Sequence, residues 1–405
     1  MGKILILGGN VAQVPLIEAA KREGYYVVLV DYTTTNPGIA LVDKHYQVNF
    51  MDRERVLEIA REEKVEGVIS NSEAAMTVVA YISEQLNLVG NTLESVSKLS
   101  SKIGFRILQK EIGVFVPEHV VTASFEEACQ KIDELRFPIV IKPSKSSGSR
   151  GTTKVSDRES FSDFREDWEA CSKFSLDGKV VLEEFVQMQI PGHTIEVEVF
   201  VCNGQYLWDG IFTNLRRLDA LSIPMTNIFP PMISDAQLRE VRETVQKMFR
   251  GAGIVFGEYN IELFYTPAGK LFCIEINPRQ GGSGMPDLVG KYSGVDMYRL
   301  LVTTAMGDDS YFKQLLGQQR QGKFVVRQEV FSRQDGILQQ LSIAPDLQPY
   351  VIQVELELQP GEKVEACRTA EDMIGFVDLE FESREQQLYF LERIEEKIYP
   401  VVKQL

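Results

Sequence analysis

The sequence predicts a multidomain α/β protein with a parallel sheet at its N-terminus, a mixed α and β central part and a small C-terminal α+β unit. Three observations predict this arrangement. The chain has 405 residues, which corresponds to two to four domains at roughly 100–200 residues each. Residues 1–95 alternate short apolar runs with helical patterns, as βαβ units do. Residues 194–200 instead alternate polar and apolar side chains, which is typical of a half-buried antiparallel strand.

The N-terminal unit is expected to span residues 1–95. An apolar run at residues 3–7 ends at Gly8-Gly9, and a helical pattern and a second apolar strand follow. The glycine pair lacks the further glycines of a dinucleotide-binding fingerprint, because Ala12 and Gln13 stand in their place. We therefore interpret the pair as a tight turn. Asp31, at the end of the second strand, is interpreted as a strand-end cap or a substrate contact.

The central unit is expected to span residues 96–308, and the C-terminal unit residues 309–405. The central unit opens with a helix at 94–113 and a hairpin whose tip is residues 144–151. Two later strands at 257–265 and 269–276 are joined by a tight turn that contains Pro267 and Gly269. The C-terminal unit is expected to hold strands and two helices, the last at 383–398.

Composition limits the class of partner. The formal net charge is −15, and such a surface repels a phosphate backbone, so the sequence predicts no nucleic-acid binding. No stretch approaches about 18 uninterrupted apolar residues, so no membrane span is expected. The five cysteines are far apart and odd in number, which indicates reduced thiols in a cytoplasmic protein.

Glu262, Glu275 and Asn277 form the most informative group of polar residues. Glu262 lies on one of the two turn-connected strands and Glu275 on the other, so cross-strand pairing can place both carboxylates on one face. Asn277 projects to that same face because it follows Glu275 by two residues. Carboxylate and amide oxygens suit Mg²⁺ or Mn²⁺. The alternative is two solvated strand acids and a loop asparagine, but a buried unpaired Glu275 would be costly without a metal.

Positively charged residues and small residues accompany this group. Arg279 follows Asn277 and precedes a glycine-rich run, where its planar guanidinium can bind a phosphate or a carboxylate. Lys142 and Arg150 flank a tip of serine and glycine whose backbone N–H groups can surround phosphate oxygens. Taken alone, such a tip is more often a mobile loop. Lys102 is a further lysine in apolar or small surroundings.

Taken in order, these segments resemble the ATP-grasp superfamily, in particular the carboxylate–amine ligases related to carbamoyl phosphate synthase, biotin carboxylase and the purine-pathway ligases. The resemblance covers residues 95–305 and implies a mobile lid at about 120–188. It implies that Lys102 and Lys142 contact ATP phosphates and that Glu262, Glu275 and Asn277 bind Mg²⁺ or Mn²⁺. Arg279 and Lys142 would act on the reacting groups. The remaining residues implied in ATP binding are Ser147, Gly148, Ser149, Gly151, Glu183, Glu184, Phe185 and Val186.

One segment departs from the family pattern. Many members hold the ribose with the glutamate of a G-x-E sequence, but Gly192-His193-Thr194 stands here. Glu196, or Glu198 on the same strand face, is the expected substitute. Candidate residues for the other substrates are Asn71, Glu73, Arg216, Arg217 and Ser283.

The resemblance implies a cytoplasmic, homodimeric enzyme that forms C–N bonds and releases ADP. It would activate a small carboxylate or amino acid as an acyl phosphate with ATP and join it to an amine. Two alternatives stay open, namely a biotin-carboxylase-like subunit that activates bicarbonate and a catalytically silent ATP-binding regulatory protein.

Overall fold

The computed structural model describes residues 2–145, 151–175, 177–219, 223–318, 320 and 322–404. At the N-terminus a four-stranded parallel sheet has the order β3-β2-β1-β4. Its strands are β1 (Lys3–Leu7), β2 (Tyr26–Asp31), β3 (Lys44–Gln47) and β4 (Gly67–Ile69). The accompanying helices are α1 (Val14–Arg22), α2 (Arg53–Glu63), α3 (Met76–Leu86), α4 (Leu93–Leu99) and α5 (Lys102–Glu111).

The turn after β1 has the structural role predicted for it. Gly8 has φ +88°, a conformation that favours glycine. Asp31 is 2% exposed and accepts hydrogen bonds from Gly9 N at 2.7 Å and Thr33 N at 2.9 Å. Of the two interpretations of Asp31, the strand-end cap is therefore the one that the structure bears out.

The predicted helix at 94–113 is instead two helices. Ser101 caps the second one, since its hydroxyl accepts a hydrogen bond from Gly104 N at 3.4 Å. The break places Lys102 at the first turn of α5, and the N–H of Lys102 donates to the carbonyl of Ser144 at 3.0 Å. The α5 helix therefore contacts the residue that directly follows β6, the strand (Ile139–Pro143) that carries Lys142.

A second, four-stranded antiparallel sheet follows, with the order β5-β8-β6-β7. It consists of β5 (His119–Thr122), β6 (Ile139–Pro143), β7 (Thr153–Val155) and β8 (Val180–Glu184), with helices α6 (Phe125–Lys131) and α7 (Arg165–Phe174). Phe125, Phe161 and Trp168 pack on one face of this sheet and form its own small core. These elements lie within the region in which the lid was expected.

The largest sheet has eight strands in the order β13-β12-β9-β10-β11-β14-β18-β16. Its first five strands in the chain are β9 (His193–Cys202), β10 (Gln205–Arg216), β11 (Pro224–Phe229), β12 (Phe256–Tyr265) and β13 (Leu271–Asn277). The helices in this part are α8 (Asp235–Ala252), α9 (Met285–Ser293), α10 (Met297–Ala305) and α11 (Ser310–Leu316). Val245 and Phe249 of α8 pack against Val197 and Ile261, so one face of the sheet is apolar and covered.

The large sheet continues into the C-terminal unit. The strands there are β14 (Phe324–Val330), β15 (Gly336–Ile343), β16 (Val351–Leu356), β17 (Lys363–Val364), β18 (Gly375–Phe381) and β19 (Ile398–Lys403), and the helices are α12 (Arg384–Leu391) and α13 (Ile394–Lys397). Strands β17, β15 and β19 form a separate three-stranded sheet. The predicted last helix at 383–398 is therefore two helices followed by a strand. The domain limits near residues 95 and 308 stay predictions.

The predicted α/β fold class, with an N-terminal parallel sheet and a C-terminal α+β part, is confirmed. Within the described residues, no helix combines the length and apolar character needed to cross a bilayer.

Candidate functional site

Three glutamates form a row across neighbouring strands on the polar face of the large sheet. The backbone of Glu262 pairs with that of Glu196 on one side and Glu275 on the other. Directly opposed residues project to the same face of a sheet, so the structure brings the two predicted metal-binding carboxylates together. The side chains of Glu262 and Glu275 are 22% and 30% exposed, so both remain accessible from the cleft above the sheet. The apolar neighbours of Glu275 had predicted a buried carboxylate, and the structure shows one that is partly exposed.

Asn277 completes the expected group. It is 6% exposed and donates through Nδ2 to Glu275 Oε1 at 3.3 Å and to Asn260 Oδ1 at 3.1 Å. Neither bond uses the amide oxygen, which is the atom that would bind a cation. Among the described residues, no group of three or more His, Cys, Asp or Glu side chains is arranged to hold a metal. The candidate set is therefore two carboxylates and one amide oxygen, all hard ligands of the type that Mg²⁺ prefers.

Lys102 lies beside this group, with its Nζ 3.8 Å from Glu275 Oε2. Burial alone would raise the pKa of Glu275, but the charge of Lys102 and the hydrogen bond from Asn277 lower it. Glu275 is therefore ionised at neutral pH. The predicted phosphate-binding lysine and the predicted metal-binding acid share one small region.

Arg216 connects the other two glutamates of the row. It is 10% exposed and donates to Glu196 Oε1 and to Glu262 Oε2, each at 2.8 Å. Burial and the charge of Glu262 raise the pKa of Glu196 to about 8, against the opposing effect of Arg216. Glu196, which was predicted to hold the ribose, is thus hydrogen-bonded to Arg216, which was predicted to lie in the substrate pocket.

Lys142, a predicted phosphate-binding residue, forms a buried ion pair with Glu183. Lys142 Nζ hydrogen-bonds Glu183 Oε1, and Arg106 donates to Glu183 Oε2 at 2.6 Å. Burial lowers the pKa of Lys142 to about 8 despite the carboxylate beside it. Burial raises the pKa of Glu183, but the charges of Arg106 and Lys142 outweigh that effect and bring it to about 2. Glu183 is therefore a carboxylate held by two cations.

A cleft of about 480 Å³ is lined by Glu184, the last residue of β8, and by Phe185 and Val186 directly after it. The cleft also contains Pro117 and Lys270, and its volume lies in the range of small-molecule sites. The carboxylate of Glu184 is occupied, since it accepts a hydrogen bond from Arg136 N at 2.9 Å. The side chain of Phe185 lies under Lys154, whose Nζ is 3.9 Å from the ring centroid.

Part of the predicted phosphate loop, residues 146–150, lies outside the described residues, and with it the predicted Ser147, Gly148, Ser149 and Arg150. Gly151, at the end of that loop, has φ +72°. A Cβ at this position would also lie 2.8 Å from a ring carbon of Phe174, so both conformation and space favour glycine.

Arg279 lies between the metal-ligand candidates and a second, larger cleft. Its Nη2 is 3.3 Å from Glu73 Oε2, and its Nη1 donates to the carbonyl of Gln280 at 2.9 Å. The cleft has a volume of about 870 Å³ and contains Asn71, Arg279 and Ser283, which the sequence had singled out. Arg217 instead lies with Asp219 and the carbonyl of Cys367.

Two contributors were missed in the sequence. Arg106, on α5, is a fully buried arginine. Glu258 is a buried acid on β12, four residues before the predicted metal ligand Glu262. A charged residue next to Phe105 and Leu108 on the apolar side of an amphipathic helix was the available signal for Arg106. The alternation of Glu258, Asn260 and Glu262 along one strand was the available signal for Glu258.

Comparison with known families finds two matches along the chain. Residues 135–287 match the ATP-grasp domain, and residues 4–93 match the N-terminal domain of PylC-like proteins. The carbamoyl phosphate synthase large chain of Thermotoga sp. (strain RQ2) is 26% identical over 71% of this chain. This chain spans about a quarter of that relative's length, since the match covers 26% of it.

Solved structures resemble the whole chain. The L-amino acid ligase from Bacillus licheniformis has a TM-score of 0.81 at 19% identity and covers 100% of this chain and 99% of its own. The phosphoribosylglycinamide synthetase from Anaerococcus prevotii has a TM-score of 0.75 at 17% identity, with coverage of 99% and 100%. At these identities the likeness establishes the fold, including its C-terminal part.

Proposed function

Because this chain carries an ATP-grasp domain behind a PylC-like N-terminal domain, we propose that it is an ATP-dependent carboxylate–amine ligase. It would transfer the γ-phosphoryl group of ATP to a small carboxylate or amino acid, and an amine would then displace phosphate from the acyl phosphate. The products are an amide, ADP and inorganic phosphate. Such chemistry needs positioned charges more than a protein nucleophile.

The arrangement of Glu262, Glu275 and Lys102 is the observation that carries this proposal. Two acids on adjacent strands lie on one open face, with a lysine ammonium 3.8 Å from one of them. Like charges this close are costly unless a cation sits between them. Lys102 and Arg216 offset part of that cost, and a divalent cation would offset more.

The residues present fit a divalent cation. Glu262, Glu275 and the amide oxygen of Asn277 would hold it, and it would neutralise charge on the phosphate oxygens during transfer. Lys102, with Lys142 below it, would add positive charge on the protein side of the phosphates. Arg279 would orient the anionic acceptor group at the mouth of the larger cleft.

One cleft would bind the base of ATP, and the other would bind the carboxylate and the amine. The base of ATP fits the 480 Å³ cleft, which residues 184–186 line together with Pro117 and Lys270. The carboxylate and the amine fit the 870 Å³ cleft, which contains Arg279, Asn71 and Ser283. The likeness to an L-amino acid ligase favours an amino acid as one substrate. Assembly as a homodimer and a cytoplasmic location stay predictions.

The proposal is tested by measuring phosphate release from ATP with pooled carboxylates and pooled amines, with and without Mg²⁺. Release that requires both pools and Mg²⁺ is expected. Stimulation by bicarbonate alone would instead favour the carboxylase alternative. Calorimetric binding of ATP without turnover in any pool would favour the silent regulatory alternative. Either result would overturn the ligase proposal, and Glu275→Gln serves as the inactive control.

A further inference from the structure

A second pair of acids lies behind the glycine-rich run, separate from the metal-ligand candidates. Glu198 on β9 and Glu258 on β12 are 0% and 2% exposed. Asn260 is opposite Glu198 and Phe200 is opposite Glu258, so the two acids are diagonal neighbours on one face. Each carboxyl group lies close enough to the other to shift its pKa: Glu198 raises the pKa of Glu258, and Glu258 lowers that of Glu198. Neither acid forms an ion pair within 4 Å in the part of the chain that the structure describes.

The hydrogen bonds to this pair locate a proton. Glu198 accepts from Asn260 Nδ2 at 2.7 Å through Oε1 and from Gly281 N at 3.0 Å through Oε2. Glu258 accepts from Gln280 Nε2 at 2.8 Å through Oε2, whereas its Oε1 has no N–H donor. Two buried carboxylates this close are costly when both are charged, and one proton shared between them removes that cost. We place this proton on Glu258 Oε1, the oxygen that lacks a donor, from which it can be donated to Glu198.

The acid pair is connected to Arg279 through residues 280 and 281. The acid pair fixes Gln280 by its side chain and Gly281 by its backbone N–H. The carbonyl of Gln280 in turn accepts a hydrogen bond from the Arg279 guanidinium at 2.9 Å. A Cβ on residue 281 would lie 2.2 Å from Glu198 Oε1, so the close approach of this backbone to the acid requires glycine.

We propose that Glu198 and Glu258 act together as a carboxylate–carboxylic acid pair that positions Arg279 by fixing Gln280 and Gly281. Both are positioning residues, because neither contacts the expected position of the reacting groups. The role assigned to Arg279 rests on the proposed function, whereas the protonated pair does not.

The surroundings support a single shared proton. Burial raises the pKa of Glu258, and the charge of Glu198 raises it further. Burial raises the pKa of Glu198 to about 7, against the opposing effect of Arg279. The other charged or titratable groups near the pair are Glu196 on the same strand and Tyr298 on α10. Of these, only Arg279 is positively charged, and it is bonded to Glu73.

Two isosteric substitutions separate this role from simple packing. In Glu258→Gln the amide N–H can replace the acid proton, and the amide oxygen can accept from Gln280. In Glu198→Gln the carboxamide has one acceptor oxygen for three donors, so one donor loses its partner. Glu329→Gln is the matched control, because Glu329 is a buried acid on β14 of the same sheet that bonds Asn227 and not residues 280–281.

Three measurements are expected to agree. One component of the infrared band of protonated carboxyl groups should be lost in Glu258→Gln. That component should persist in Glu329→Gln, which removes only the contribution of Glu329, whose pKa burial raises to about 7. Hydrogen exchange of the Gly281 amide should accelerate in Glu198→Gln and not in Glu258→Gln. With the substrates found in the phosphate-release screen, Glu198→Gln should lower kcat by about 10- to 100-fold with little change in the KM for ATP. Glu258→Gln should keep kcat and extend activity to higher pH.

Equal effects of both substitutions, or an infrared spectrum unchanged in Glu258→Gln, would overturn the proposal. If Glu198→Gln does not fold, Gln280→Met removes the donor to Glu258 and should lower kcat in the same way. Unchanged exchange and kcat in that variant would contradict the proposal. The infrared and exchange results need no turnover, so they decide the pair even if the ligase assignment fails.

Discussion

Arg106 binds Glu183 through two parallel hydrogen bonds, with Nε 2.6 Å from Oε2 and Nη2 3.2 Å from Oε1. The two side chains are 1% and 5% exposed. Nη1 of Arg106 donates further to Gln109 Oε1 at 2.7 Å and to the carbonyl of Cys273 at 3.3 Å. One arginine of α5 therefore connects β8, which ends beside the proposed base cleft, to β13, which carries the metal-ligand candidates Glu275 and Asn277.

Arg106→Met is expected to destabilise the fold strongly. Among the described residues, the change leaves buried Glu183 with Lys142 as its only cation, and breaking a buried ion pair costs about 3–5 kcal/mol. Urea unfolding measures the loss. Arg158→Met is the control, because Arg158 is 47% exposed and its pair with Asp133 should contribute less than about 1 kcal/mol. Similar losses in both variants would contradict the assigned role of Arg106.

The local sequence pattern was sufficient to predict that Glu262 and Glu275 lie opposite each other on one face of the sheet. The two strands are joined by a tight turn, and a short turn fixes register, so residues that share a face can be read from the sequence. Arg216 and Glu262 lie 46 positions apart and on strands that are not sequence neighbours. Their contact depends on β9 pairing with both β10 and β12, which no local pattern encodes.

The same limit explains the errors in element boundaries. At Ser100-Ser101 the helical pattern continues on both sides. The extended backbone of Ser101 and the cap bond from Gly104 to Ser101 show that one helix ends and another begins. At the C-terminus, residues 398–403 become a strand because they pair with β15. That partner lies more than 50 positions away, so tertiary context overrides local helical propensity.

Glu275→Gln is expected to reduce Mg²⁺-dependent phosphate release by at least about tenfold. The carboxamide keeps the shape of the side chain but loses the charge that would bind the cation. The side chain is 30% exposed, so the free energy of unfolding should change by less than about 0.5 kcal/mol. Glu94→Gln, at a side chain 78% exposed on α4, should leave both quantities unchanged. Full activity in Glu275→Gln would remove the basis of the proposed metal site.

Acid should weaken the N-terminal sheet through Glu63. Hydrogen bonds from Lys3, Lys44 and Tyr46 lower the pKa of Glu63 from 4.5 to about 2. The folded state therefore binds this proton less readily than the unfolded state does. The stabilisation is fully present above pH 4.5 and is lost as the pH falls from there to about 2.

The measurement is urea unfolding of the protein and of Glu63→Gln from neutral pH to about pH 3. The variant should be less stable at neutral pH, and its stability should fall less steeply below pH 4.5. Glu62→Gln, at a side chain 56% exposed, should follow the wild-type curve. Parallel curves for the protein and Glu63→Gln would show that Glu63 contributes nothing to the acid response.

Adjacent glycines in the run after Arg279 should respond differently to alanine. A Cβ at position 281 would lie 2.2 Å from Glu198 Oε1 and 2.8 Å from Met285 Cβ, and neither neighbour can move without breaking buried contacts. Gly281→Ala should therefore lower the free energy of unfolding by about 1–3 kcal/mol. A Cβ at position 282 meets no atom within 4 Å, so Gly282→Ala should stay within about 0.5 kcal/mol of the wild type. Thermal or urea unfolding of both variants checks this difference, and equal stabilities would mean that the backbone of residue 281 does not lie against Glu198 as described.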